Sequence, residues 1–383
     1  MPLFALSDLH LDDRHRATLF DDARQGRHLA ALFETLARVP DAELVLLGDT
    51  FDFTSMQPPL RGLEHFCDAL ELPLEVQPAR DVTAMLEAIA KANPIAFEAL
   101  RTVAQRVPTT FVVGNHDWQL GNPEARTALA SVGVPSGIAK RVLRQLGGRG
   151  VLLEHGHRFD ASNAHPLADG EQLTRALYQA VIPFLRHHGA RENVRMDVDR
   201  LVAVRPQERA LMLMERWLDS HTFHRLMHAF LRLLAENRGM SRPAQVLAER
   251  LPVKLMRSAL ESAEEVWRKA ADHVLNDLAR RHPRELHTEA DVVVLGHTHV
   301  LDWAVSDVRG RDKLYVNLGT WTERAVDAMS AADTTLPLLM LDGARDLFAA
   351  ELIDLDEDGG KLETFRGRSL SPELASLGSE SRP

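Results

Sequence analysis

One cysteine in 383 residues, two tyrosines and an aromatic content of 5% are the first scarcities in this sequence. A single thiol, Cys67, excludes an internal disulfide and fits a reducing compartment, where a lone cysteine reads as an inert buried residue. No uncharged stretch reaches the roughly 18–20 residues that a spanning helix needs. The opening MPLFALSDLHL has no basic start and no apolar run before a cleavage site, so no secretory signal is expected. Positive charge is also short: 45 Lys and Arg stand against 55 Asp and Glu, a formal net charge of −10. With few aromatic rings to stack bases, that balance argues against a protein that coats nucleic acid. The expectation is a soluble, cytoplasmic protein of one large or two ordinary domains.

What is present is apolar sequence in short runs. LFALS, AELVLLGD, TTFVVGNHD, RGVLLEHGHRFD and DVVVLGHTH read as buried strands, each ending in polar residues. Helical spacing covers about 27–39, 81–92 and 95–107, the last two separated at Pro94. KLYVNLGTW, TLPLLMLD and LFAAELIDLD add three strand candidates close together, and 60–80 gives no clear pattern. Non-alternating strands joined by helices predict an α/β layered fold with largely parallel strands at its centre. The late strand cluster suits antiparallel pairing, so a mixed or second sheet is expected.

Between HGHRFD and VVVLGHTH the character changes. From about 171 to 282 the strand signal vanishes, and three long segments carry apolar residues at helical spacing. This predicts a large all-helical insertion with its own core, to which the stripe Leu211, Met212, Met214, Leu218, Leu226, Phe230 and Leu234 belongs. His221, His224 and His228 share a helical face without acidic or thiol partners, so they read as a solvated face rather than a metal site. RHHGARENVR (186–195) concentrates positive charge; it reads either as a phosphate clamp or, more commonly, as a solvated loop. LSPELASLGSESRP, at 370–383, has the composition of a disordered tail.

The chemistry-bearing residues sit where the strands end: Asp8 and His10, Asp49 and Asp52, Asn115, His116 and Asp117, His155 and His157, then His297 and His299. Beyond the carboxyl ends of the strands of an α/β sheet, residues remote in sequence can meet. Carboxylates, imidazoles and one amide oxygen together suit divalent transition metals better than calcium or magnesium. Each motif alone has a plainer explanation, as a turn, a cap or strand-end decoration. Five in this order, each after an apolar strand, do not.

In that order, DLH, GDTFD, GNHD, EHGH and GHTH resemble the five motifs of the calcineurin-like metallophosphoesterases. The resemblance covers about 1–165 and 285–355, leaving a helical cap at 166–284. It implies two mixed β-sheets sandwiched together and flanked by helices. It implies that Asp8, His10 and His299 hold one metal, that Asn115, His155 and His297 hold a second, and that Asp49 bridges them. Of the two histidines in HGH, His155 matches the motif's histidine before glycine, and His157 stands beside it. Two divalent transition-metal ions follow, manganese first, with iron or zinc as alternatives, and in-line attack on phosphorus by a metal-bridging hydroxide. His116 would protonate the leaving oxygen, Asp117 would orient His116, and Asp52 would stand behind them.

One branch of the family, the bacterial UDP-2,3-diacylglucosamine hydrolases, carries a helical lid between the fourth motif and the final histidines. This chain has a longer insertion there, and His116 where that branch has arginine. The implied partner is a phosphorylated small-molecule or amphipathic substrate, with peripheral membrane contact open. The alternative activity is pyrophosphatase action on a lipid-linked nucleotide; a nuclease or a non-catalytic scaffold ranks lower.

Overall fold

In β1 (Pro2–Leu6) the side chains alternate between two cores: Leu3 and Ala5 enter one, Phe4 and Leu6 the other. Both faces are buried, which is why the strand is apolar throughout. The computed structural model describes residues 2–75, 78–160, 163–166, 168–194, 196–203, 209–237, 290–307, 312–322, 336–342 and 351–354. The third helical segment of the expected insertion and the 370–383 tail lie outside the described residues.

After β1 come α1 (Gln25–Leu36), β2 (Glu43–Leu46), α2 (Leu63–Leu70), α3 (Val82–Ala92), α4 (Pro94–Arg106) and β3 (Thr109–Val112). Asp81 caps α3 by accepting from the Ala84 N–H at 2.8 Å, and Pro94 opens α4, where its missing N–H costs nothing. Then follow α5 (Ala125–Ser131), β4 (Gly137–Ala139), β5 (Arg141–Leu146) and β6 (Arg149–Glu154). Gly147 and Gly148, both at positive φ, make the tight turn of the β5–β6 hairpin.

The chain continues through α6 (Asp169–Ala176), α7 (Ile182–Glu192), α8 (Val198–Ala203), α9 (Arg209–Trp217) and α10 (Ser220–Asn237). It returns to strand in β7 (Val292–Leu295), β8 (Leu301–Asp307), β9 (Asp312–Leu318), β10 (Pro337–Asp342) and β11 (Glu351–Asp354).

Two mixed sheets result. One runs β11-β10-β1-β2-β3-β4, parallel from β1 to β4 with antiparallel β10 and β11 at one side. The other runs β5-β6-β7-β9-β8, parallel across β6, β7 and β9 with an antiparallel strand at each edge. The parallel-centred expectation therefore holds from β1 to β4 and across β6, β7 and β9, while β10 and β11 at one side of the first sheet and both edges of the second are antiparallel. Leu3, Val45, Val112, Val151, Val292 and Val316 fill the space between the sheets. Helices α1, α3, α4 and α5 cover the outer face of the six-stranded sheet through Leu32, Phe33, Leu86, Phe97, Leu100 and Leu129.

The helices from α6 to α10 bury their apolar faces with α2 in a separate cluster that includes Phe66, Cys67, Leu185, Leu201, Met214, Leu226 and Phe230. The stripe expected from sequence is thus core at Met214, Leu218, Leu226 and Phe230, while the side chains of Leu211 and Met212 lie outside the described residues. His221, His224 and His228 are exposed on α10. Residues 186–192 of the basic segment belong to α7 rather than to a loop, and there Arg186 donates to the His15 carbonyl and Arg191 pairs with Glu192. Cys67 is a free, buried thiol.

Candidate metal centre

The carboxyl ends of β1, β2, β3, β6 and β7 each lead into one motif, and the five motifs meet. The first two run side by side: the His10 N–H donates to the Asp49 carbonyl at 2.9 Å, Leu11 N–H to Thr50 at 3.0 Å, and Asp52 N–H to Leu11 at 2.8 Å. Asp8, His10, Asp49, His297 and His299 all have φ between 48° and 72°. Asp and His tolerate this left-handed region better than most residues, yet five such residues in one place is strain maintained by surrounding structure. A Cβ at Gly114 would lie 2.1 Å from Asp49 Oδ1 and 2.4 Å from its backbone nitrogen. Only glycine allows the third motif to approach the second so closely.

The donor atoms fall into compact groups. One atom each from Asp8, His10 and His299 lie within 4.8 Å of one another, as do those of Asp49, His155 and His297. A third group joins His10, Asp49 and His116, which sets Asp49 between the first two. His10 Nε2 and His299 Nε2 are 3.0 Å apart, and they stand 3.7 and 3.2 Å from Asp8 Oδ1. Two buried imidazole nitrogens aimed at each other and at one carboxylate oxygen form a donor set suited to a cation. His155 Nδ1 faces the Leu47 carbonyl at 2.9 Å, a bond that fixes the tautomer and turns Nε2 toward Asp49 Oδ2 (3.1 Å) and Asn115 Oδ1 (3.2 Å). His297 Nε2 rests 3.1 Å from Asp160 Oδ2. The residues present fit divalent transition metals.

The roles of the neighbouring carboxylates differ from expectation. Asp117 accepts from the backbone N–H of Thr50 (2.9 Å), Phe51 (3.4 Å) and Gly114 (2.6 Å), tying the second motif to the third. The carboxylate at His116 is Asp52 instead: its Oδ1 is 3.2 Å from His116 Nδ1, which also meets Thr54 Oγ1 at 3.2 Å. The motif order favours Asp117, the neighbour of His116, and the three-dimensional path of the loops brings Asp52 there instead. The His157 ring lies 5.4 Å from that of His155, tilted by 42°; burial and then the charges of His155 and His297 push it down to about 3, so it stands neutral beside the site. Arg158 makes a two-point pair with Glu154 at 2.9 Å.

Several contributors carried no motif. Ser7 Oγ donates to Asp8 Oδ2 at 2.5 Å, and Thr320 Oγ1 to the Asp8 carbonyl at 2.9 Å. Tyr178 donates to Asp52 Oδ2 at 3.2 Å from a π-helical turn, Leu177–Val181, between α6 and α7. The next residue, Gln179, accepts from Leu60 N–H at 2.9 Å and donates to the Gln57 and Pro58 carbonyls. A π turn turns two successive polar residues inward, which 3.6-residue spacing does not anticipate. Asp160, in the quoted HRFD, was visible but gave no sign of its partner.

Burial disfavours charge on every group here, and for His10, His155, Asp8, Asp49 and Asp52 mutual attraction overrides it. His10, held by Asp52, Asp8 and Asp49, rises to about 10, and His155, facing Asp49 and Asp8, to about 9. Asp8, Asp49 and Asp52 sit below the usual carboxylate range because imidazoles face them. Burial, with the Asp49 charge, pushes Asp117 up to about 7. In metal-free protein the two raised histidines contribute stability present in full below about pH 6.5, which is lost as pH rises through about 9–10. The raised Asp117 adds a loss between about pH 4 and 7. The melting temperature of chelator-treated protein should therefore fall from pH 5 to 9.5, while bound metal, which competes with these protons, flattens the fall. Scanning calorimetry with and without chelator measures this; a metal-free melting temperature that climbs across the range contradicts the assignment.

The family model for calcineurin-like phosphoesterases matches residues 1–301. Among solved structures, an archaeal phosphodiesterase is 11% identical, with a TM-score of 0.32, over 93% of this chain and all of that one. Vps29 from Entamoeba histolytica, complexed with zinc, is 12% identical, with a TM-score of 0.30, over 92% of this chain and 91% of that one. No curated protein matches. By the family match over most of its length, this chain belongs to the calcineurin-like phosphoesterases and is a metal-dependent phosphoester hydrolase.

Proposed function

We propose that the protein hydrolyses a phosphate ester or diphosphate bond at a centre of two divalent transition-metal ions, manganese first among them. Asp8, His10 and His299 would hold one ion, Asn115, His155 and His297 the other, and Asp49 both. The single observation that carries this reading is the convergence of those donors into two groups with Asp49 between them. Ions held there polarise phosphate oxygens and activate water. The chain's own residues do the rest. Asp52, fixed by the Thr54 N–H at 2.9 Å and by Tyr178, holds His116 through Nδ1. His116, partly open to solvent, keeps its other nitrogen for a proton at the leaving oxygen.

The helices around α6 would act as a cap that chooses the substrate. Among the described residues their apolar faces are engaged with α2 rather than turned over the metal centre. That favours a polar phosphorylated substrate over the lipid-linked nucleotide of the alternative reading. Among the described residues no helix is long and apolar enough to cross a membrane. A cytoplasmic setting suits the single buried thiol. The test is metal content against turnover: about two ions per chain at full activity are expected. Full activity on a phosphomonoester, a phosphodiester and a diphosphate conjugate after exhaustive chelation would end the proposal.

A further inference from the structure

Where α6 meets the core, three buried polar atoms lack a hydrogen-bond partner. Helix α6 packs on the short 3-10 turn Thr54–Met56 that follows Asp52. On that face Glu171 is 4% exposed and its Oε2 has no hydrogen bond. One helical turn on, Arg175 donates from its terminal nitrogen to the Pro58 carbonyl at 2.8 Å, while its Nε has no acceptor. Residues four apart share a helix face, so both look the same way. From the turn opposite, Ser55 presents a buried Oγ that is also unpartnered. The turn that α6 packs on also reaches the proton donor, since Thr54 Oγ1 meets His116 Nδ1 at 3.2 Å. Buried polar atoms are normally paired, and three orphans on one interface beside the proton donor mark a place where something else bonds.

We propose that Glu171, with Arg175 and Ser55, forms the leaving-group subsite and selects a hydroxyl-rich leaving group, such as a sugar, over an apolar one. This rests on the phosphoesterase reading and names its substrate class. The three groups offer an acceptor, a donor and a hydroxyl that does both. Adjacent hydroxyls of a polyol, each able to donate and accept, satisfy that set. An alkyl leaving group would bury all three unpaired, and an anionic one would face Glu171 and Asp52. Sites built to bond a hydroxyl discriminate strongly against analogues that lack it, because the protein's own groups are then stranded.

The experiment compares kcat/KM of the metal-loaded full chain for a hexose 6-phosphate, n-hexyl phosphate and p-nitrophenyl phosphate. Wild type should prefer the hexose ester to the hexyl ester by about tenfold or more. Glu171→Leu should erase that preference, the ratio of hexose-ester to hexyl-ester kcat/KM falling by about tenfold or more. Glu171→Gln, which keeps shape and hydrogen bonding, should retain much of the preference, and it guards against a folding defect in the leucine variant. A wild type that favours the hexyl ester, or a Glu171→Leu loss equal on all three esters, overturns the subsite alone. If wild type turns over none of the three, the phosphoesterase reading falls with it.

Discussion

In the Asp49→Asn variant, turnover of a phosphate ester falls by about 10²–10⁴-fold and bound metal falls with it. Asparagine keeps the shape of the side chain and still accepts the His116 backbone N–H that Asp49 Oδ1 takes at 2.8 Å. What it removes is charge. Asp49 Oδ2 lies 3.1 Å from His155 Nε2 and 3.8 Å from His10 Nε2, and the side chain is essentially inaccessible to water. Burial opposes ionisation there, but the charges of His155 and His116 hold the carboxylate well below its usual range. Removing one member of a buried, mutually dependent charge set costs about 3–5 kcal/mol. At about 1.4 kcal/mol per decade this spans the stated fall. Elemental analysis of the purified variant beside its steady-state rates gives both numbers. An Asp49→Asn protein that retains wild-type metal and near-wild-type rates would show that this carboxylate does not join the two groups.

The parts of the site legible in the sequence were those fixed by topology. A buried parallel strand has to be apolar on both faces, so β1, β2, β3, β6 and β7 stood out, and the polar residues just after each could be read as neighbours. The hairpin strand β5 was not anticipated because its exposed edge mixes Arg, Val, Leu and Gln with no long apolar run, although the Gly147–Gly148 pair in its turn was a usable signal. Strand β8 hid behind the histidines, since LDWAVSD follows GHTH with only one residue between. The helical run after Glu171 was plain from its spacing, but its meaning was not. Tyr178 and Glu171 look like ordinary positions in an amphipathic pattern. A π turn, which period does not encode, brings Tyr178 to Asp52, and Glu171 is buried in α6 although it can carry charge. The exchange of roles between Asp52 and Asp117 has the same origin: both follow strands, and the choice depends on which loop doubles back over the other.

Replacing His116 by glutamine should slow an alkyl phosphate by about 10²–10⁴-fold and an aryl phosphate with a good leaving group much less. The asymmetry follows from the assigned role, because an alkoxide needs a proton as it departs and a stabilised phenoxide does not. Burial, the strongest influence on His116, disfavours its charge, but the Asp52 and Asp49 carboxylates outweigh it and keep the ring protonated above its ordinary range. Its proton therefore stays available as pH rises past about 6.5, and the basic limb of the rate profile should reflect that. In Asp52→Asn the carboxylate 3.2 Å from His116 Nδ1 is gone, so the ring loses its proton at lower pH and the basic limb should shift downward. Thr54 still holds the ring, so the loss in rate should be smaller than for His116→Gln. Rate–pH profiles for one alkyl and one aryl ester separate these effects. Equal losses on both esters, or a basic limb unmoved by Asp52→Asn, would assign His116 to phosphate binding and take the departing proton away from it.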